Sequence, residues 1–328
     1  MKEEDKELYR ASIKSIDTEE FLDMWFYRPL GFRCALFFRN RGIHPNIITI
    51  ISIFLGIGAG VCFLQENLRW NILGILLLMW ANLYDSTDGQ LARITGQRTR
   101  WGRILDGFAG DCWFFCIYFA IAARETFEPI PFAPEHNWGV LIWILISFCG
   151  FWVHGSQCQL ADYYRNIHLY FTKEKNGNEF HNSETQLKEY KATSWRKSFF
   201  WKLFLNAYVS YVENQERMTP GFQKFIKSVH RHFGTEIPAG LRNEFREGSL
   251  PLMKYTNILT FNSRALFLWF TINSRAIMLC FDMLTGELWT YIMFELVVLM
   301  AIFLYMKYKH ETLCRRLTGK IEEGYEFN

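Results

Sequence analysis

The chain has 328 residues, half of them apolar and 18% aromatic, and its 36 Lys and Arg exceed 33 Asp and Glu by a net charge of only +3. Mean hydropathy is -0.03, because polar segments dilute long apolar runs. Those runs exclude a pair of ordinary soluble domains, and the small, unevenly spread positive surplus suits an anionic leaflet, not nucleic acid.

The first 44 residues are polar and charged, so no cleavable signal sequence is expected there. Residues 17–40 interleave Phe21, Leu22, Trp25, Phe26, Leu30, Phe32 and Phe37 with arginines, the pattern of an amphipathic helix lying in the membrane interface. Six apolar runs follow, at about 46–65, 70–92, 103–123, 138–161, 257–282 and 287–307. Each has the roughly 20 residues that cross a bilayer of about 30 Å. Between the fourth and fifth, residues 163–256 form an insertion. Its Lys173–Ser183 stretch, with Asn176-Gly177-Asn178, reads as a loop. Thr193–Val212 mixes Trp195, Phe199, Trp201 and Phe204 with Arg196, Lys197 and Lys202, and reads as a second membrane-surface helix. After Pro220-Gly221 a basic helix runs through Phe233. A seventh span at 199–212 is the competing reading, but it is short and charged at its edges.

Basic residues fall on alternate sides of the spans. Arg28, Arg33, Arg39 and Arg41 precede the first, and Arg93, Arg98, Arg100 and Arg103 join the second to the third. The insertion and the tail beyond Lys307 are basic too, whereas 65–69, 128–137 and 282–287 carry almost no positive charge. The expected architecture is an all-α integral membrane protein of six spans, with both termini, the second-to-third turn and the insertion cytoplasmic. Its segments are 1–44 (interfacial), 45–162 (spans one to four), 163–256 (insertion), 257–307 (spans five and six) and 308–328 (tail). The eight cysteines contain no C-x-x-C pair. Cys112 and Cys116 share a helix face, which suits packing better than a metal.

The densest chemistry lies at residues 85–106, which read Asp85-Ser-Thr-Asp88-Gly89-Gln-Leu-Ala92-Arg93, then eight residues, Gly102, three residues, and Asp106. Ionisable groups at a membrane edge usually mark function. Asp85 and Asp88, three apart, share one helix face, and an antiparallel neighbour brings Asp106 to the same point. A divalent cation with oxygen ligands holds such carboxylates together; the bland alternative is a buried ion-pair network with nearby arginines. Gly89 and Ala92 leave the helix backbone open to close approach, and the forked guanidinium of Arg93 suits phosphate.

This run resembles the signature of the CDP-alcohol phosphotransferase family, D-x2-D-G-x2-A-R-x8-G-x3-D-x3-D, and matches it at every position through Asp106. The last position departs from it: Gly110 stands where the family has a fourth aspartate, and Asp111 follows one residue later. The resemblance implies a metal site (Mg2+ or Mn2+) at Asp85, Asp88 and Asp106, and a CDP moiety held by Gly89, Ala92, Arg93 and Gly102. It implies transfer of a phospho-alcohol from a CDP-alcohol donor to a hydroxyl acceptor with release of CMP, in phospholipid or sphingolipid synthesis, and by analogy a homodimer. The family's fourth aspartate takes the role of base. Here three readings stay open: Asp111 acts if the helix widens locally as in a π-bulge, another group or a metal-bound hydroxide substitutes, or catalysis is lost. His154, in a polar break of span four, is a candidate substitute, with a satisfied packing histidine as the alternative.

Arg264 near the cytoplasmic side suits a phosphate contact, whereas Arg275, three turns on, is expected to snorkel to the far interface. Asp162, Tyr163, Tyr164 and Arg165 either line a polar vestibule or anchor the helix among headgroups. The insertion favours a bulky lipid acceptor such as diacylglycerol or a ceramide, in which case the chain resembles a bacterial phosphoinositol-ceramide or aminoalcohol-phospholipid synthase. The alternatives are transfer from CDP-diacylglycerol to a small polar alcohol, a catalytically silent lipid- or nucleotide-binding relative, and a transporter using its intramembrane carboxylates.

Overall fold

The computed structural model describes residues 3–13, 17, 25, 27–172, 183–195, 198–234, 236–259 and 274–327. In chain order the helices are α1 (Glu3–Ser12), α2 (Arg28–Asn40), α3 (Pro45–Phe63), α4 (Leu68–Thr95), α5 (Arg100–Glu125) and α6 (Gly139–Phe148). A π-helical turn, Cys149–His154, leads into α7 (Gly155–Thr172). Then come α8 (Ser183–Ala192), α9 (Phe199–Met218), α10 (Pro220–Phe233), α11 (Ala239–Leu259), α12 (Ser274–Thr285) and α13 (Trp289–Met293). A second π-helical turn, Phe294–Leu299, precedes α14 (Met300–Glu322). The fold is all-α as expected, with one two-stranded antiparallel hairpin, β1 (Pro129–Ile130) and β2 (Ala133–Asn137), joining α5 to α6.

The helix ends follow from local chemistry. His44 Nδ1 accepts from the Asn46 N–H ahead of α3, with Pro45 at the first position, where its missing N–H costs nothing. Asn67 caps α4, and Gly96, at φ 69°, closes it in the left-handed region that favours glycine. Three residues later Thr99 accepts from the Gly102 N–H and starts α5. Beyond this four-residue link α4 and α5 both pack on α3 around the motif.

The chain divides into two units, 1–156 with 257–300 and 157–256 with 301–328. In the first, α3 packs on α4 and α5. Gly56 and Gly60 face α5 so closely that a side chain at either would collide with Trp113 or Cys116, the small-xxx-small contact of membrane helices. Ala59, Phe63, Leu78, Ile117 and Ile121 form its core. Large apolar side chains such as Phe54, Leu76, Phe115, Ile144 and Phe151 are nonetheless exposed, which suits a lipid environment. In the second unit Phe171, Phe225 and Phe245 stack, the Tyr164 ring lies 3.7 Å from that of His310, and Glu311 accepts from the Gly221 and Phe222 N–H groups at the start of α10.

Among the described residues four helical stretches are long and apolar enough to cross a membrane: Pro45–Phe63, Ile104–Glu125, Gly139–Thr172 and Trp289–Glu322. They correspond to four of the expected spans and indicate a multi-pass membrane protein. The second expected span, α4, is long enough but diluted by Asn71, Asn82, Asp85, Asp88 and Gln90. Residues 260–273 of the fifth, including Arg264, lie outside the described residues. So do 18–24 of the expected interfacial helix, whose described part is α2, and 173–182 of the expected loop, after which Ser183 opens α8. The unit holding the insertion runs from Gln157 to Thr256 and takes in 301–328, where α14 continues to Glu322.

Candidate active site

Asp85 and Asp88 lie one turn apart on α4, both buried, and Asp106 lies exposed on α5. One carboxylate oxygen from each falls within 4.8 Å of the others. Ligands on opposite sides of a shared ion stand about 4.2 Å apart for Mg2+ and up to about 5.2 Å for Ca2+, twice the ordinary metal–oxygen distance. Three anionic oxygens in that range fit one hard divalent cation, and the cluster can bind one.

The shell around the cluster comes from α1, α2 and α3. Thr49 Oγ1 donates a short hydrogen bond to Asp88 Oδ2 across 39 residues of sequence. That fixes the carboxylate rotamer, as groups behind a metal ligand typically do. Gly102 faces Asn46: a Cβ there would stand 3.1 Å from Asn46 Oδ1, so glycine permits the close approach of α5 to the start of α3. Gly31 lets α2 lie against α4, where Gln90 Nε2 donates to the Arg28 carbonyl at 3.1 Å and to Ser12 Oγ at 3.3 Å. Arg93 folds back over Gly89 (a Cβ at 89 would be 3.3 Å from its Nη1), and its Nε donates to the Ser12 carbonyl at the end of α1. Asp85, Asp88, Gly89 and Ala92 share one face of α4. Gly89 and Ala92 are only half-buried while residues 85–88, 90 and 91 are buried, so the small residues are where that face is open.

Residues 42–165 match the family model for CDP-alcohol phosphatidyltransferases. That segment holds α3 through most of α7 and the whole acidic cluster. An "Uncharacterized protein" of Aquifex aeolicus (strain VF5) is 45% identical over 82 residues, 25% of this chain and 40% of the relative, so the chain spans less than half the length of the curated relative it matches. No solved structure matches.

The two candidate bases lie apart from the carboxylate cluster. Asp111 does not join the carboxylate cluster. α5 is α-helical throughout, without the wide turn that would swing residue 111 inward. Asp111 therefore stays about 100° round from the line through Asp106 and Gly110 and is exposed. The π turns occur elsewhere, at 149–154 and 294–299. They carry His154 and Glu295, which meet with Arg275 in the core of the first unit. Arg275 Nη1 donates to Glu295 Oε1 in a short ion pair and to His154 Nδ1 at 2.8 Å, and its Nε donates to the Leu259 carbonyl at 3.2 Å.

An arginine only donates, so His154 Nδ1 accepts, and the lone pair a base needs is occupied. His154 also packs 4.0 Å from the Phe114 ring and 3.2 Å from Tyr118 Oη, two to three turns beyond Asp106 on α5. That is about 12–18 Å along the helix, outside hydrogen-bond reach of an acceptor at the carboxylates. Nor does Arg275 snorkel: it is wholly buried and paired. Glu295, the lone carboxylate in the apolar run 293–304, was the signal in the sequence that could have revealed this pair.

Proposed function

We propose that this protein is a lipid-synthesising transferase that moves a phospho-alcohol from a CDP-alcohol to a hydroxyl acceptor and releases CMP. The convergence of Asp85, Asp88 and Asp106 within 4.8 Å, inside the segment that matches the family model, carries this reading. Asp85, Asp88 and Asp106 would hold a divalent cation, Mg2+ or Mn2+, which when bound neutralises phosphate charge. Thr49 keeps Asp88 turned toward the cluster. Gly89 and Ala92 leave room for the nucleotide against the α4 backbone, Gly102 keeps α5 close, and Arg93 places a permanent charge beside the phosphates. Six spans with both termini and the carboxylates cytoplasmic fit the distribution of basic residues. A lipid alcohol such as diacylglycerol or a ceramide suits the insertion, whose α9 carries exposed Phe199 and Leu203.

A second reading, a silent lipid- or nucleotide-binding relative, is favoured by one observation: the position one turn beyond Asp106 is Gly110, with no carboxylate. Release of labelled CMP from CDP-alcohols by the purified protein, with Mg2+ or Mn2+ and with chelator, separates the two. Asp85→Asn, Asp88→Asn and Asp106→Asn are each expected to lower metal-dependent release by about 100-fold or more. Near-normal release by any one of them removes that residue from the site, and no release by the wild type with any CDP-alcohol favours the second reading.

A further inference from the structure

The second unit contains a cleft of about 380 Å³ made by α11 and α14. That volume lies in the range of small-ligand sites. At one end the helices touch: a Cβ on Gly248 would stand 2.5 Å from Leu313 Cδ1. The cleft opens where Pro251 interrupts the hydrogen-bond ladder of α11. Leu252 and Leu313, both buried, form an apolar floor.

The rim is cationic and aromatic. Lys254 Nζ lies 4.9 Å over the Tyr255 ring and Lys309 Nζ 5.6 Å over the Tyr305 ring, and the two tyrosines meet edge-on at 5.3 Å. Among the described residues neither lysine has a carboxylate partner. Arg316, also on the rim, shares the single carboxylate of Glu244 with Lys320. The cleft thus carries a surplus of positive charge around an apolar base.

Its level along α14 fits the same chemistry. The exposed residues of that helix change from Leu304 to Tyr305 and Tyr308, and then to Lys309, Arg315 and Arg316. Aliphatic, then aromatic, then basic is the order in which a helix leaves a bilayer through the headgroup layer.

We propose that this cleft binds an anionic phospholipid. The lipid's phosphate sits among Lys254, Lys309 and Arg316, with the proximal acyl carbons on Leu252, Leu313 and the two tyrosines. Unpaired cations beside a membrane attract acidic headgroups, and arginine adds a forked contact to phosphate oxygens. The site consists only of second-unit residues and does not rest on the transferase reading.

The test uses full-length protein in a non-ionic detergent, titrated with dioleoylphosphatidylglycerol, dioleoylphosphatidylcholine or soluble glycerol 1-phosphate while thermal unfolding is followed. Phosphatidylglycerol is expected to raise the unfolding temperature with half-saturation at least about tenfold below that of phosphatidylcholine, and glycerol 1-phosphate to have no effect. The Lys254→Gln/Lys309→Gln/Arg316→Gln variant should lose the preference, and Lys254→Arg/Lys309→Arg should keep it. Thr312→Trp, which fills the cleft without changing its charge, should lose it too, and decides the matter should the triple variant fail to fold. Equal half-saturation by the two lipids, a shift with glycerol 1-phosphate, or a preference that survives Thr312→Trp overturns the proposal.

Discussion

Replacing Glu295 by alanine removes the carboxylate that, among the described residues, meets Arg275, Tyr118 and Tyr291 in a buried cluster. Three donors then lose the Glu295 oxygens, Arg275 Nη1, Tyr118 Oη at 2.5 Å and Tyr291 Oη at 3.3 Å, and Arg275 Nη1 is left with His154 Nδ1. Both members of the ion pair have side chains with no exposure, so water cannot replace the lost partner. Breaking such a pair from one side costs about 3–5 kcal/mol. Because a kcal/mol is worth a few degrees in a domain of this size, unfolding in detergent should begin roughly 10 °C lower. Replacing both partners, as Arg275→Met/Glu295→Met, removes the buried charge together with its counter-charge and should restore most of the loss. The assay is size-exclusion chromatography of heated, detergent-solubilised protein, for wild type, the two single variants and the double variant. A Glu295→Ala protein that melts within about 2 °C of wild type, or a double variant whose loss equals the sum of the singles, would refute the buried-pair account.

Two further changes probe the acidic cluster. Thr49→Val keeps the shape of the side chain and removes the hydroxyl donor to Asp88, so the metal concentration for half-maximal CMP release should rise about 10–100-fold with little change in unfolding temperature; an unchanged metal titration would show that Thr49 does not orient Asp88. Gly110→Asp restores the carboxylate one turn beyond Asp106. A Cβ at 110 meets nothing within 4 Å, so stability should hold while turnover rises at least about tenfold, and a fall in turnover would mean that position 110 does not face the acceptor.

The parts of the site readable from sequence are those that one or two helical turns decide. Asp85 and Asp88 share a face by spacing alone. Gly96 and Thr99 are a stop and a start close enough to turn the chain so that α5 delivers Asp106. What could not be read depends on partners distant in the chain or on a change of helical period. Thr49 stands in an apolar run with no sign that its hydroxyl reaches Asp88. Arg275 looks like a snorkelling cation until Glu295 is found opposite it. The π turns at 149–154 and 294–299 leave no trace in apolar periodicity, because inserting one residue re-aims His154 and Glu295 while the flanking residues remain apolar. The fourth span consequently runs to Thr172 as one helical stretch with an internal wide turn.

The acids fall into two sets. Among the described residues Glu295 is matched by Arg275. Oxygens of Asp85, Asp88 and Asp106 lie within 4.8 Å of one another. At the spacing seen, two like charges repel by about 3 kcal/mol at an effective dielectric of roughly 20. A fold holds carboxylates together against that repulsion only if something else lowers the energy of the assembled state. The all-oxygen donor set and its spread match a divalent cation, and the small residues Gly89 and Ala92 leave the adjoining helix face open to a ligand of that cation. On the proposed function, Arg275–Glu295 bears on stability and the aspartates on turnover. Glu295→Ala measured on the surviving folded fraction should therefore alter unfolding temperature far more than CMP release per folded molecule, and Asp106→Asn, on an exposed residue, should do the reverse.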